Sequence, residues 1–161
     1  MAAACAMLAH KEERMTMVRT ARSYDAAAIA ALCVELGYAA TRQQIIVRLA
    51  EIEARAAAVW VAEDDSGGVV GWLHVVCCAA LTDEACAEIV GLVVGVDARG
   101  HGVGSALLEQ AHAWARERGC SHLRVRSRIE RERAHHFYQR HGYALLKTQQ
   151  VLEHALPDPA R

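Results

Sequence analysis

The spacing of apolar positions changes period several times along the chain, and each change marks an element. Residues 17–20 read as a short first strand. Over 23–36 the period is helical: Ile29, Leu32, Cys33 and Leu36 share one stripe, with Ser23 as candidate cap and Gly37 as stop. Thr41-Arg42-Gln43-Gln44 has capping-box form and opens a second helix to about Ala54. Two β-rich runs, 58–63 and 69–77, flank Asp64-Asp65-Ser66-Gly67-Gly68, which predicts a hairpin. The run 87–96 is nearly all apolar, as expected of a strand covered on both faces. Helical period returns over 103–118, burying Val103, Leu107, Ala111 and Trp114 and ending at Gly119. Leu123 and Val125 then alternate with Arg124 and Arg126, a strand with one dry face. A fourth helix over 132–141 closes at Gly142, residues 143–156 supply one long or two short final strands, and 157–161 are tail.

Size and charge narrow the class. A chain of 161 residues is long enough to bury a substantial core, and no internal repeat or linker divides it. Residues 1–14 are expected to be a flexible extension ahead of one domain at 15–161, with Met15 or Met17 as an alternative start. The apolar opening is short and lacks a basic leader, so it predicts neither a signal peptide nor a membrane span, and the cytoplasm is the expected compartment. A formal net charge of −1 gives no case for a nucleic-acid or membrane partner. Arginines do cluster late, at Arg116, Arg118, Arg124, Arg126, Arg128, Arg131, Arg133 and Arg140. That cluster reads equally as solvated faces or as a field favouring bound phosphates. The six cysteines include no Cys-x-x-Cys and read as small buried apolar residues of a reducing compartment. No spacing suggests a metal, and His135, His136 and His141 read as helix-face residues.

Candidate chemistry concentrates in Arg99-Gly100-His101-Gly102-Val103-Gly104-Ser105, between the apolar strand and the third helix. Glycines there free backbone N–H groups to point outward, and the helix start adds partial positive charge, which together suit a phosphate or pyrophosphate. A Walker loop would need Lys after its last glycine, where Ser105 stands. A dinucleotide fingerprint would need a third glycine at 105. What remains is Arg-x-x-Gly-x-Gly at Arg99, Gly102 and Gly104. This resembles the acyl-CoA pyrophosphate loop of the GNAT superfamily of N-acetyltransferases. The resemblance extends upstream through Ala87-Glu88-Ile89-Val90-Gly91-Leu92-Val93-Val94 and downstream through Ala134-His135-His136-Phe137-Tyr138-Gln139-Arg140-His141-Gly142-Tyr143.

The resemblance implies an α/β (α+β) fold, a mixed and mostly antiparallel sheet of six to seven strands flanked by about four helices. It implies acetyl-CoA as cosubstrate without a metal, and direct acetyl transfer to an amine. Pantetheine would run along Leu92, Val93 and Val94, and the diphosphate would meet Gly100, His101, Gly102, Val103, Gly104 and Ser105, led by Arg99. Gly91 and Gly95 inside the strand mark either a bulge or a close approach to its backbone. Many relatives have Asn after the next strand, where this chain has Ser127-Arg128, leaving Arg128 as the candidate substitute. Glu88 matches the catalytic glutamate of histone-type members and Tyr138 the tyrosine near the cofactor sulfur, so base and acid are expected there. Paired with an arginine, Glu88 would instead be an edge carboxylate, and Tyr138 would otherwise be a core aromatic.

The acceptor is expected to be a small-molecule primary amine, with a protein N-terminus or lysine second. Residues 37–41 and the last strands would shape its pocket, with Tyr38 as a shield. Glu35, Asp83, Glu84 and Glu153 are candidates for attracting a cationic amine and equally for solvated charges. A non-catalytic acetyl-CoA sensor would keep the site without turnover. A nucleotide hydrolase is disfavoured by the missing lysine. The final strands are a candidate homodimer interface.

Overall fold

A computed structural model describes residues 16–53, 55–81 and 83–156. The extension at 1–14, the alternative start at Met15, the expected helix end at Ala54, the side chain of Asp83 and the tail at 157–161 lie outside the described residues. Two compact units divide the chain, one up to Arg126 and one from Ser127.

In the first unit the elements are β1 (Met17–Thr20), α1 (Ala26–Leu36), α2 (Arg42–Glu53), β2 (Ala57–Glu63), β3 (Val69–Ala80), β4 (Asp83–Val94), α3 (Val103–Glu117) and β5 (His122–Val125). The sheet order is β1-β2-β3-β4-β5. Neighbours are antiparallel except β4 and β5, which run parallel because α3 crosses between them. Five strands are fewer than the six to seven expected, because residues 143–156 form neither helix nor strand. Their apolar residues come in adjacent pairs, Leu145-Leu146 and Val151-Leu152, so a period-2 strand would put one of each pair on the wet face. All four are 70–88% exposed.

Pattern and packing agree elsewhere. The Ile29, Leu32 and Cys33 stripe of α1 and Ile45 of α2 bury against Val61, Trp72 and Val93 on one face of the sheet. The other face carries Leu73, Val75, Ala87 and Ile89, at most 1% exposed, beneath α3 with its Leu107, Leu108 and Ala111. Trp60 and Trp114 meet edge to face there, ring centres 6.1 Å apart. Thr41 and Gln44 make the expected reciprocal cap, with N···O distances of 2.9 and 3.2 Å. The hairpin closes on the Asp64 carboxylate, which accepts the N–H groups of Ser66 (3.0 Å) and Gly68 (2.9 Å).

The start of α1 differs from expectation. Ser23–Asp25 is a 3-10 turn, and Asp25 takes the N-cap position of α1 without capping it by side chain; its carboxylate instead closes the turn by accepting the Arg22 N–H at 2.8 Å. The same buried carboxylate takes both terminal nitrogens of Arg19, at 2.7 and 2.8 Å, while Arg19 Nε reaches Glu63 at 2.9 Å. Charge-assisted bonds of this kind outrank a serine hydroxyl. Burial raises the Asp25 pKa, but Arg19 and the Arg22 N–H outweigh it, and the net shift is downward. A depressed carboxylate stabilises the fold above the ordinary Asp value of about 3.9, and that contribution is lost as pH falls through the lower folded value. Asp25→Asn is therefore expected to cost about 3 kcal/mol at pH 7 in denaturant unfolding. The difference from the parent should shrink toward pH 2. A pH-independent difference would assign the loss to packing instead.

In the second unit α4 (Glu132–Arg140) is the one regular element among the described residues.

Candidate active site

The β3–β4 register slips between His74 and Val75: His74 faces Gly91 while Val75 faces Ile89, so Val90 is an extra residue in β4. This bulge sits where β4 leaves β5. Their pairing covers Cys86–Ile89 against His122–Val125 and stops. From Gly91 to Val94, β4 is paired with β3, and among the described residues no strand neighbours its other edge. Gly91 serves a close approach, but by a side chain: a Cβ there would lie 2.6 Å from the Trp72 ring, which covers the strand at that point. Val93 is buried in the α1 core, so a ligand along this segment would meet Leu92 and Val93 through backbone.

Beyond β4 a 3-10 turn, Val96–Ala98, leads to Arg99 and the glycines. Gly102 stands at φ +83° and Gly100 at φ +79°, and a Cβ at either would meet nothing within 4 Å. Gly102 thus combines a left-handed backbone with open space above it. It is also the N-cap of α3, and among the described residues no side chain makes a cap hydrogen bond there. The first backbone bond of the helix runs from Ala106 N–H to Gly102 C=O at 3.0 Å. The N–H groups of Val103 and Gly104 are consequently among the four a helix start leaves over. Gly100, His101 and Gly102 are exposed beside them, whereas the Val103 side chain is buried. The partial positive charge and open approach fit a phosphate.

The Arg99 side chain is engaged elsewhere. Its Nε donates to the Val94 carbonyl at 2.9 Å and its Nη2 to Glu35 at 3.1 Å, while Glu35 also accepts the Val96 N–H at 3.1 Å. Arg99 therefore braces the loop against β4 and α1. Glu35, a candidate for attracting a cationic acceptor, is committed to this brace. No single sequence signal connects the two, since they lie 64 residues apart.

Glu88 lies opposite Val76 on β3 and Arg124 on β5, two residues before the bulge. Its carboxylate is 12% exposed and sits 3.0 Å from Arg126 Nε, a side chain itself 73% exposed. Arg126, one of the late arginine cluster, is thus the arginine that pairs with Glu88. Cys78 lies in the same neighbourhood: burial pushes its thiol up, and the Glu88 charge adds to the effect. Burial also lowers the pKa of His74, whose Nε2 and the Trp72 indole N–H are buried without partners among the described residues.

The remaining candidates belong to the second unit. Tyr138 is buried on α4, edge to face with Phe137 at 5.2 Å and tilted against Tyr143 at 5.3 Å. Burial pushes its hydroxyl up to about 12, against a smaller opposing effect of Arg131. The Arg128 carbonyl accepts the Arg131 N–H at 3.1 Å and contacts His135 Nε2 at 3.0 Å, fixing the entry to α4. His141 Nδ1 contacts the Phe137 carbonyl at 2.8 Å. His135 and His141 are thus helix-face residues with backbone partners. Among the described residues no group of three His, Cys, Asp or Glu side chains is placed to hold a metal.

The chain belongs to the GNAT acetyltransferase domain family, whose model matches residues 55–145. Similar solved structures include a transcriptional regulator from Bacillus halodurans, with TM-score 0.78 and 22% identity over 87% of this chain and 100% of that one. Glucosamine-6-phosphate N-acetyltransferase from Arabidopsis thaliana aligns with TM-score 0.75 and 18% identity over 86% and 98%. An aminoglycoside antibiotic 6′-N-acetyltransferase from Acinetobacter baumannii gives 0.72 and 14% over 89% and 100%. At these identities the likeness concerns the fold. A search of curated protein sequences finds no significant match.

Proposed function

We propose that the protein transfers an acetyl group from acetyl-CoA directly to a primary amine of a small molecule. The observation that carries this reading is the continuity of one surface: the edge of β4 at 91–94, which no strand neighbours among the described residues, leads straight to the open glycine turn and the start of α3. An extended amide chain would add to the strand edge as a further strand does, and a diphosphate would receive the N–H groups at the turn. Charge-assisted hydrogen bonds contribute about 1.5–3 kcal/mol each, so a few suffice without a metal. Arg99 acts here by holding the loop in place. Two fold relatives carry names that specify amino-sugar and aminoglycoside acetylation, in keeping with a small acceptor.

Three tasks follow for the chain's own groups. An alkylammonium with pKa about 10 must lose a proton before it is nucleophilic at neutral pH. Glu88 accepts that proton, through an ordered water where the amine does not reach it. A backbone N–H at the Val90 bulge stabilises the oxygen that gains charge. Tyr138, whose hydroxyl burial keeps protonated up to about 12, donates to the departing thiolate. Tyr138→Phe is expected to leave acetyl-CoA affinity within about twofold while lowering kcat by ~10²-fold. An unchanged kcat would remove the tyrosine from the chemistry.

No helix among the described residues is long and apolar enough to cross a membrane. The exposed leucines of 143–156 support a homodimer through that segment. The primary test is calorimetric titration of acetyl-CoA, with ATP and NAD as controls, followed by an amine panel read by release of free CoA thiol. Selective binding with amine-dependent release supports the enzyme. Binding without release for any small amine, polyamine or peptide would favour the sensor reading, and no binding would set aside both.

A further inference from the structure

The strand registers gather four cysteines that are scattered in sequence. Cys78 faces Cys86 across β3 and β4, while Cys77, one residue earlier, points to the opposite face and lies opposite Ala87. On that face its Sγ is 3.8 Å from the Sγ of Cys120, at the turn between α3 and β5. Both backbones are held. The Cys77 N–H donates to the Ala56 carbonyl at 2.8 Å. The Cys120 N–H closes α3 on the Ala115 carbonyl, and the next N–H, of Ser121, donates to Ala85 of β4, both at 3.0 Å. The fold therefore sets the meeting of these thiols, and both residues are only partly buried.

We propose that Cys77 and Cys120 form a dithiol site that a small disulfide such as oxidised glutathione converts reversibly to an intramolecular disulfide. One thiolate attacks the oxidant, forming a mixed disulfide and releasing one glutathione thiolate. The second protein thiolate attacks the protein sulfur of that mixed disulfide and releases the second glutathione. Two protons and two electrons leave the cysteine pair, one Sγ–Sγ bond forms, and the oxidant ends as two thiols. A disulfide bond of about 2.05 Å requires the sulfurs to approach by about 1.8 Å from their present 3.8 Å. The bond would span β4 at Ala87, tying β3 to the root of β5. The 43-position separation it closes includes Glu88, the glycine loop and all of α3. Such a closure restricts the unfolded chain and raises stability.

The test treats the full-length reduced protein with oxidised glutathione, removes the excess and maps the disulfides by peptide mass spectrometry. The expected product is about 2 Da lighter than the reduced chain, carries a Cys77–Cys120 link, melts several degrees higher and reverts with dithiothreitol. Cys77→Ala and Cys120→Ala should each lose both the link and the melting shift. Mapping on the unmutated protein stands even if a variant folds poorly. A Cys78–Cys86 link in its place, a lasting glutathione adduct on either cysteine, or an oxidised form that melts with the reduced one would each overturn the proposal. None of these readouts depends on acetyl-CoA.

Discussion

Gly102→Trp is expected to abolish acetyl-CoA binding in the calorimetric titration, a loss of at least ~10²-fold in affinity, while retaining the circular dichroism spectrum. Two properties of the position lead to this expectation. Its φ of +83° is a conformation any side chain strains, and the space above it is open, so the fold itself gives no reason for that space to stay empty. Conformational strain alone costs of order 1–3 kcal/mol in stability. Occlusion acts only on a ligand. Gly102→Ala separates the two, because one methyl group accepts the strain while leaving the approach to the Val103 and Gly104 N–H groups largely clear. The alanine variant should therefore melt lower yet bind within about tenfold of the parent. If the tryptophan variant binds normally, the glycine turn is a connector and the diphosphate must lie elsewhere. If the alanine variant already loses all binding, loop conformation matters and the open space does not.

What was legible from sequence was whatever local chemistry fixes. The Thr41/Gln44 cap, the Asp64 hairpin and the α1 stripe each depend on residues within a few positions of one another, and each forms as read. The glycine turn was legible for the same reason, because Gly100 and Gly102 encode a backbone shape. Reading failed where a distant partner decides. Gly91 was open to two explanations, and the deciding atom belongs to Trp72 on the neighbouring strand. Glu35 looked like a spare surface acid until the fold placed it on Arg99 and Val96. Ser23 is the better cap by local preference, yet it lies in a 3-10 turn closed by Asp25 on the Arg22 N–H, and Arg19 of β1 holds that carboxylate. Strand period also misled at 143–156, where composition is β-like but adjacent apolar pairs leave no face to bury.

Glu88→Gln is expected to lower kcat for amine acetylation by ~10²–10⁴-fold with little change in acetyl-CoA affinity. The competing account of this residue is structural, since the carboxylate is ion-paired with Arg126 at 3.0 Å. The two accounts differ in what a second variant does. Arg126 is 73% exposed, so solvent screens the pair and its worth to the fold is small, about 0–1 kcal/mol. Arg126→Ala removes the pair as completely as Glu88→Gln does but leaves the carboxylate standing at the bulge. If Glu88 only anchors β5, the two variants should be equally impaired in turnover and melt alike. If Glu88 accepts the proton, Glu88→Gln is nearly inactive while Arg126→Ala retains turnover within about tenfold, because the carboxylate still has its place on β4. Full activity in Glu88→Gln would return the residue to a structural role and leave the amine to reach the site already deprotonated.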